Sequence, residues 1–484
     1  MKKTLLLFTL LPFFAGAQQT YVPDDNFEAY LENHGMGNGI ANDDSVTTAN
    51  ISGVTILILD NETIADLSGI ADFTALTTLI CSYNQLTSLD VTQNTALEQL
   101  GCHINQLTSL DVTQNTALTA LDCSGNQLTS LDVTQNTALT ALDCSGNQLT
   151  SLDLTENTAL TTLSCRSNQI TSLDVTQNTA LTALDCSGNQ LTSLDVTQNT
   201  ALTTLDCSGN QLTSLDVTQN TALTAMDCGE NQLTSLDLTQ NTSVTYLECN
   251  YNQLTSLDVT QNTALQILYC GVNQLTSLNV TQNTALETLV CGSNQLTSLD
   301  VTQSTGLEGL SCSSNPLTSL DLTQNTGLTY LNCYDNQLEC LNVKNGNNTN
   351  MTTCYAFINP NLSCIEVDDP VYSDANWTDI DPGVTFSTNC SNACSSAPTE
   401  IAEFSPAVSL YPNPASDMIT IDTEGLTGKI CEVSIYDLSG QLVDRQRNVS
   451  KNHIEINTST FQSGMYWCTV KTNIEQNQVK FIIH

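Results

Sequence analysis

Residues 118–138 read LTALDCSGNQLTSLDVTQNTA, and this stretch decides the fold. A cysteine recurs every 21 residues through thirteen copies, from Cys81 to Cys333. Leu118, Leu121, Cys123, Asn126 and Leu128 spell L-x-x-L-x-C-x-x-N-x-L. The second half echoes the first, because Leu128, Leu131, Val133 and Asn136 spell L-x-x-L-x-V-x-x-N. A fixed period of this size marks a solenoid, in which each unit buries its apolar face against the next. The half-periods are ten and eleven residues, which suits two short strands and two asparagine corners per coil. TSLDVT has the β-branched content and the period-two alternation of a strand. The pattern predicts a flattened stack with two parallel sheets. At ~4.8 Å per coil, thirteen coils span roughly 60 Å.

Leu121 and Cys123 flank an outward Asp122, so the cysteines point inward, where a thiol packs as a small hydrophobe. Thirteen is an odd number for pairing. In-register side chains on parallel strands also hold their Cβ atoms ~4.8 Å apart, beyond the ~3.5–4.5 Å that a disulfide prefers. A metal site would need C-x-x-C clusters with histidines, and the four histidines (His34, His103, His453 and His484) are isolated. The ladder is therefore architecture. Asn126–Asn147–Asn168 and Asn115–Asn136–Asn157 form two further ladders, suited to satisfying backbone groups at the bends.

The recurring L-x-x-L-x-C-x-x-N-x-L resembles leucine-rich-repeat proteins, with cysteine in the third leucine's place. The resemblance implies a mainly β leucine-rich-repeat solenoid over 71–343, covered at both ends. Residues 18–70 resemble the amino-terminal caps of exported bacterial members. In PDDNFEAYLENHG, Asp24 or Asp25 is the expected helix cap, Phe27, Tyr30 and Leu31 the apolar face, and Gly35 the stop. Asn38, Asn42, Asp43 and Asp44 have a weak calcium-like composition without EF-hand spacing. Residues 344–390, with Trp377, resemble the closing segment of the same proteins. Here the cysteines leave the ladder and pairing is expected. Cys364–Cys390 is the favoured pair and Cys340–Cys354 the second, and sequence alone leaves the connectivity open. Residues 391–402 read as a polar linker.

Lys2 and Lys3, an apolar run from Leu5 to Phe14, and Ala15-Gly16-Ala17 predict a signal peptide over 1–17. No later run is long and apolar enough for a membrane helix. The chain carries 50 acidic and 10 basic side chains, a formal charge of -40. Between Gln18 and Val343 the only basic residue is Arg166. Such a surface repels nucleic acid and anionic lipid. Over 403–484, strand-like runs alternate with turn signals and predict a small β-sandwich. Within it, LYPNPASD, IYDLSGQLV, SGMYWCTV and KFII stand in order. Together they resemble the type A carboxy-terminal sorting domain of the type IX secretion system of the Bacteroidetes. The resemblance implies partnership with that secretion machinery, export across the outer membrane, and a protein that is anchored to the surface or released. Cys431 and Cys468 stand at aliphatic positions of that domain, where they either pair or sit in the core, the core being favoured.

The outward residues of the second half-repeat are monotonous, Ser130, Asp132 and Thr134 recurring in nearly every coil. Those of the first half vary, and they include tyrosines. Tyr246, Tyr251 and Tyr269 form one candidate contact patch for a protein or glycan, and Tyr330 and Tyr334 a second. Scattered tyrosines are also ordinary strand formers. The aspartate row from Asp90 to Asp258 offers carboxylate and hydroxyl oxygens of the kind calcium takes. No G-x-S-x-G, H-E-x-x-H or P-loop pattern is present, and no residue is assigned a catalytic role. The chain thus reads as an exported, surface-displayed or released binding protein and not an enzyme. The alternative is an acidic, calcium-binding structural protein of the surface or matrix, without a specific ligand.

Overall fold

A computed structural model describes residues 17–391, 394, 409–411, 418–423, 430–437, 442–447, 453–461, 464–472 and 476–483. The expected signal peptide (save Ala17), most of the expected linker, and the PNPASD and LSGQ portions and Ser463 of the sorting motifs lie outside the described residues. The chain divides into two compact units at Cys394/Ser395. The first therefore extends past the boundary expected at residue 390.

In the first unit each coil gives a three-residue strand around the second leucine of its repeat, such as Ala120–Asp122. Fifteen of these, from Ile56–Ile58 to Thr353–Tyr355, stack into one parallel sheet. Each strand pairs in register with the next, as Leu121 does with Leu142. Leu118, Leu121, Cys123, Leu128, Leu131 and Val133 all face inward, none more than 8 % exposed. The thirteen ladder cysteines are 0 % exposed, and none is disulfide-bonded. Burial pushes their thiols up, to about 12 at Cys165, where Asp185 and Asp143 add to it.

The corners are closed by asparagine. Asn147 Oδ1 accepts from Leu128 N of the preceding coil at 2.9 Å. Its Nδ2 donates to Cys123 O, Cys144 O and Ser145 O at 3.0–3.2 Å. The second asparagine row does half as much: Asn136 Nδ2 donates to Val112 O and Asn115 O. A threonine row runs along the strand starts, Thr140 Oγ1 donating to Thr119 O.

The far side differs from expectation. Paired strands form there only at the C-terminal coils, over Ser319–Asp321, Cys340–Asn342, Cys364–Glu366 and Thr385–Ser387. Upstream, single bridges join Asp90 to Asp111 and Asp258 to Asn279. The sequence of this side supplies the reason. Asp132 Oδ1 accepts from both Thr134 N and Thr134 Oγ1, at 3.0 and 2.7 Å, and the turn is repeated in coil after coil. Such local side-chain bonds compete with a sheet ladder for the backbone.

The amino-terminal cap is a helix, Asp25–Asn33, whose N-cap Asp24 accepts from Asn26 N and Phe27 N. Its other carboxylate oxygen accepts from Ala65 N and Asp66 N, fastening the helix to the first coil. The buried Glu28 accepts from Asp43 N and Asp44 N, and Asn38 Nδ2 donates to Asp43. The polar residues of this loop thus hold the loop itself.

At the other end a short helix, Pro370–Asn376, leads into Trp377, which packs edge-on to Phe386 at 5.8 Å. Cys364 is joined to Cys390, with Cα atoms 5.9 Å apart. Cys340 is joined to Cys394 and not to Cys354. The expected Cys340–Cys354 pair is corrected because the two lie in different sheets. Cys340 belongs to the far-side strands, whereas Cys354 pairs with Leu331 in the fifteen-stranded sheet and faces the core.

The second unit holds two antiparallel sheets. One has strands Ser409–Tyr411, Met418–Asp422 and His453–Asn457. The other has Leu442–Arg447, Ile430–Asp437, Gly464–Thr472 and Gln476–Ile483. Alternate residues such as Ile419, Ile421, Ile454 and Ile456 meet in one core, as period-two patterning requires. Cys468 is buried there as a free thiol. The Cys431 side chain lies outside the described residues.

Candidate functional site

The outward side of the fifteen-stranded sheet has two rows of side chains, one before and one after each buried leucine. Across the coils from Ala120 to Ala225 the first row is small: Ala120, Ala141, Thr162, Ala183, Thr204 and Ala225. Bulkier groups bracket this run, with His103 and Tyr83 in edge-on contact at one end and Tyr246 and Tyr269 at the other. The result is a trough of about 620 Å³ lined by Gly101, Ala120, Ala141, Thr162, Ala183 and Thr204, among others.

The second row is acidic over these coils and the next: Asp122, Asp143, Asp185, Asp206, Asp227 and Glu248, interrupted at Ser164. Two bases answer it. His103 Nδ1 lies 3.0 Å from Asp122 Oδ2, and Arg166 Nε lies 3.9 Å from Asp185 Oδ2. At the far end of the row, like charges crowd without a base. Burial, with Asp206, Glu248 and Glu230 nearby, pushes the Asp227 carboxyl up to about 6, against a bond from Gly229 N that lowers it.

The rings begin on the strand of the last acid. Tyr246 and Tyr269 meet edge to face at 6.0 Å. Tyr246 Oη donates to Glu248 Oε2 at 2.6 Å, and burial and this carboxylate raise its phenol well above the usual range. Tyr251 stands apart from that pair, 57 % exposed on the corner of its coil. Tyr330 and Tyr334 join a larger group. Tyr330 meets Tyr355, Tyr355 meets Phe357, and Phe357 stacks on Tyr334 at 5.1 Å. Tyr355 and Phe357 escaped the sequence pattern because a two-residue insertion shifts the period, so that Tyr330 pairs with Thr353.

The corner column was also missed. Its residues have positive φ, and Gly125, Gly146, Gly188 and Gly209 fill it where nothing else is asked of it. At other coils it holds Ile104 (φ 51), Tyr251 (φ 54), Val272 (φ 51) and Ile358 (φ 56), all exposed. A side chain with Cβ costs roughly 1–2 kcal/mol in this region relative to glycine, and β-branched residues are outliers there. Large apolar groups are thus held out to solvent against local preference, a pattern that accompanies function.

The far-side aspartates behave differently. Thr134 bonds hold Asp132 below the usual carboxylate range, and the row's Oδ1 atoms are occupied by these turns. Among the described residues no group of three or more His, Cys, Asp or Glu could hold a metal ion. No helix among them is long and apolar enough to cross a membrane.

Residues 409–484 match the secretion system C-terminal sorting domain, and residues 158–198 and 179–219 match leucine-rich repeats. The solved functional domain of InlJ from Listeria monocytogenes, which includes a cysteine ladder, is similar with a TM-score of 0.66 and 32 % identity, over 97 % of this chain and 99 % of that one. A leucine-rich-repeat protein of Leptospira interrogans is similar with a TM-score of 0.52 and 29 % identity, over 59 % of this chain and 76 % of that one. Internalin J of Listeria monocytogenes serotype 4b is 42 % identical over 83 residues, 16 % of this chain. That match spans 9 % of internalin J's own length. The sorting domain implies interaction with the secretion machinery and a secreted or cell-surface location. With its cysteine ladder and in-register coils, the chain belongs to the internalin-like leucine-rich-repeat proteins, a typically non-enzymatic family, and carries a secretion system sorting domain.

Proposed function

We propose that this is a recognition protein of the cell exterior, which presents the outward side of its fifteen-stranded sheet to a protein or glycan surface. One observation carries the reading. The departures from the monotonous repeat gather on this side and its corner: the trough, the paired Tyr246 and Tyr269, the ring cluster of Tyr330, Tyr334, Tyr355 and Phe357, and the exposed Tyr251 and Val272. Amphipathic rings on a rigid sheet give contact area at little entropic cost. Likeness to the functional domain of InlJ, which has the same cysteine ladder, supports a function carried by the solenoid.

The test is binding of the full chain to a panel of surface polysaccharides and cell-surface proteins, beside a Tyr246→Ala/Tyr269→Ala variant. A ligand held by the parent and lost in the variant supports the reading. A ligand held equally by both at this patch and by a Tyr330→Ala/Tyr355→Ala variant contradicts it.

A further inference from the structure

The trough deepens that reading by its chemistry. Six of the seven coils from Asp122 to Glu248 carry an acid in the second outward row, whereas the next four carry Tyr269, Val290, Ser311 and Asn332. The acids therefore run along the small-residue floor and one coil past it, ending at Glu248 on the strand of the first ring, Tyr246. General acidity for solubility would not divide the sheet in this way.

The fold does not require the charge. Asp122 and Asp206 each accept a bond from the amide two residues on, Ser124 N and Ser208 N. Neutral Asn332 accepts from Tyr334 N in the same position, and on the far side Asn279 takes both Thr281 bonds that aspartates take elsewhere. The coil with Ser164 closes its corner without an acid, Ser167 N donating to Ser187 O. Negative charge at these positions is thus surplus to the turn. It stands over a concave floor of alanine and threonine methyl groups, with His103 and the largely exposed Arg166 as the bases beside it.

We propose that the trough docks a basic polypeptide segment of a partner protein, its Lys or Arg side chains set against Asp122, Asp143, Asp185 and Asp206. From the strand of Gly101 to that of Asp206 the trough runs roughly 24 Å, the reach of about seven extended residues. Small floor residues let a backbone approach closely, and the acids supply charge complementarity, which steers encounter and fixes register. This proposal rests on the outward side of the sheet being the recognition face.

The experiment uses the full chain and fluorescein-labelled hexa-arginine, with anisotropy as the readout. The parent binds saturably at about 50 mM NaCl and loses most affinity by about 300 mM, as screening of exposed charge dictates. Asp143→Asn/Asp206→Asn, which keeps the amide-accepting oxygen, weakens binding about fivefold or more. Asp132→Asn/Asp195→Asn removes the same charge from the far side and leaves affinity within about twofold. Equal losses in the two variants, or no saturable binding by the parent, overturn the proposal. If the trough variant changes nothing while a panel ligand is still lost on Tyr246→Ala/Tyr269→Ala, the recognition face stands and the basic segment falls.

Discussion

Cys354 pairs in register with Leu331, and Ala356 occupies the place that a fourteenth ladder cysteine would take. The asparagine bonds establish this. Asn359 Nδ2 donates to Cys333 O and Ala356 O, as Asn336 Nδ2 donates to Cys312 O and Cys333 O. At the other end Leu59 fills the same place beside Cys81, since Asn84 Nδ2 donates to Leu59 O and Cys81 O. Leucine and alanine take the place at the two ends of the ladder, which marks it as an apolar packing position and not a redox position.

Substitution at one rung tests the socket. Cys186→Ala is expected to cost about 1 kcal/mol through lost packing. Cys186→Ser is expected to cost about 2 kcal/mol or more, because it buries a hydroxyl. Urea midpoints measure both. Native protein should resist a thiol reagent, and denatured, unreduced protein should release the fifteen described free thiols. Serine tolerated better than alanine would contradict the packing role.

The two asparagine rows should differ in worth. Asn147 makes four bonds, and its removal orphans the buried Leu128 N, while Cys123 O, Cys144 O and Ser145 O keep Asn126 Nδ2, Asn168 Nδ2 and Gly125 N as donors. Asn136 makes two. Each orphaned buried group costs about 1–3 kcal/mol, so Asn147→Ala should lower the urea midpoint clearly more than Asn136→Ala. Equal losses would show that the bond count does not set the cost.

Asp227 gives a pH signature. Its folded carboxyl is pushed up to about 6, above the ordinary aspartate value it regains on unfolding. Within that window the folded state holds more protons, so this group's contribution to stability falls as pH rises and is least favourable above it. Asp227→Asn should therefore melt higher than the parent at about pH 7.5 and alongside it at about pH 4. A variant less stable than the parent at the higher pH would contradict the crowding.

Calcium separates the two functional readings. The far-side aspartates spend one oxygen on their threonine turns and lie in no metal-holding cluster among the described residues. Calcium should then raise the melting temperature no more than magnesium does, since diffuse screening does not distinguish them. A calcium-specific rise would favour the structural, matrix-type reading.

The extent of what the sequence discloses follows from what repeats. Leu121, Cys123, Asn126 and Val133 recur, so the inward faces, the thiol ladder and the corners are legible. The far-side sheet is less extensive than the pattern implies because TSLDVT alternates like a strand, while Asp132 and Thr134 close a turn within their own coil. Tyr246 and Tyr269 sit on neighbouring strands of unbroken period, with Tyr246 opposite Ile267 and Tyr269 opposite Glu248, and so can be placed together by counting. Tyr355 and Phe357 could not, since the insertion after Val343 breaks the count. The strain at Ile104 and Val272 belongs to φ, which composition does not disclose.

That strain makes its own prediction. Val272→Gly should stabilise the chain or leave it unchanged, by up to about 1 kcal/mol, because the left-handed corner suits glycine. If Val272 serves contact, the same change weakens ligand binding. A marked loss of stability with binding intact would assign Val272 to the fold.

The most direct measurement places one arginine on each side of the same coil and follows binding of a ligand from the surface panel. Ala183→Arg projects from the fifteen-stranded sheet into the trough, and Ser193→Arg projects from the far side. We expect the first to abolish or sharply weaken binding and the second to leave it unchanged, with both proteins folded by circular dichroism. Binding lost with Ser193→Arg and kept with Ala183→Arg would contradict the recognition face.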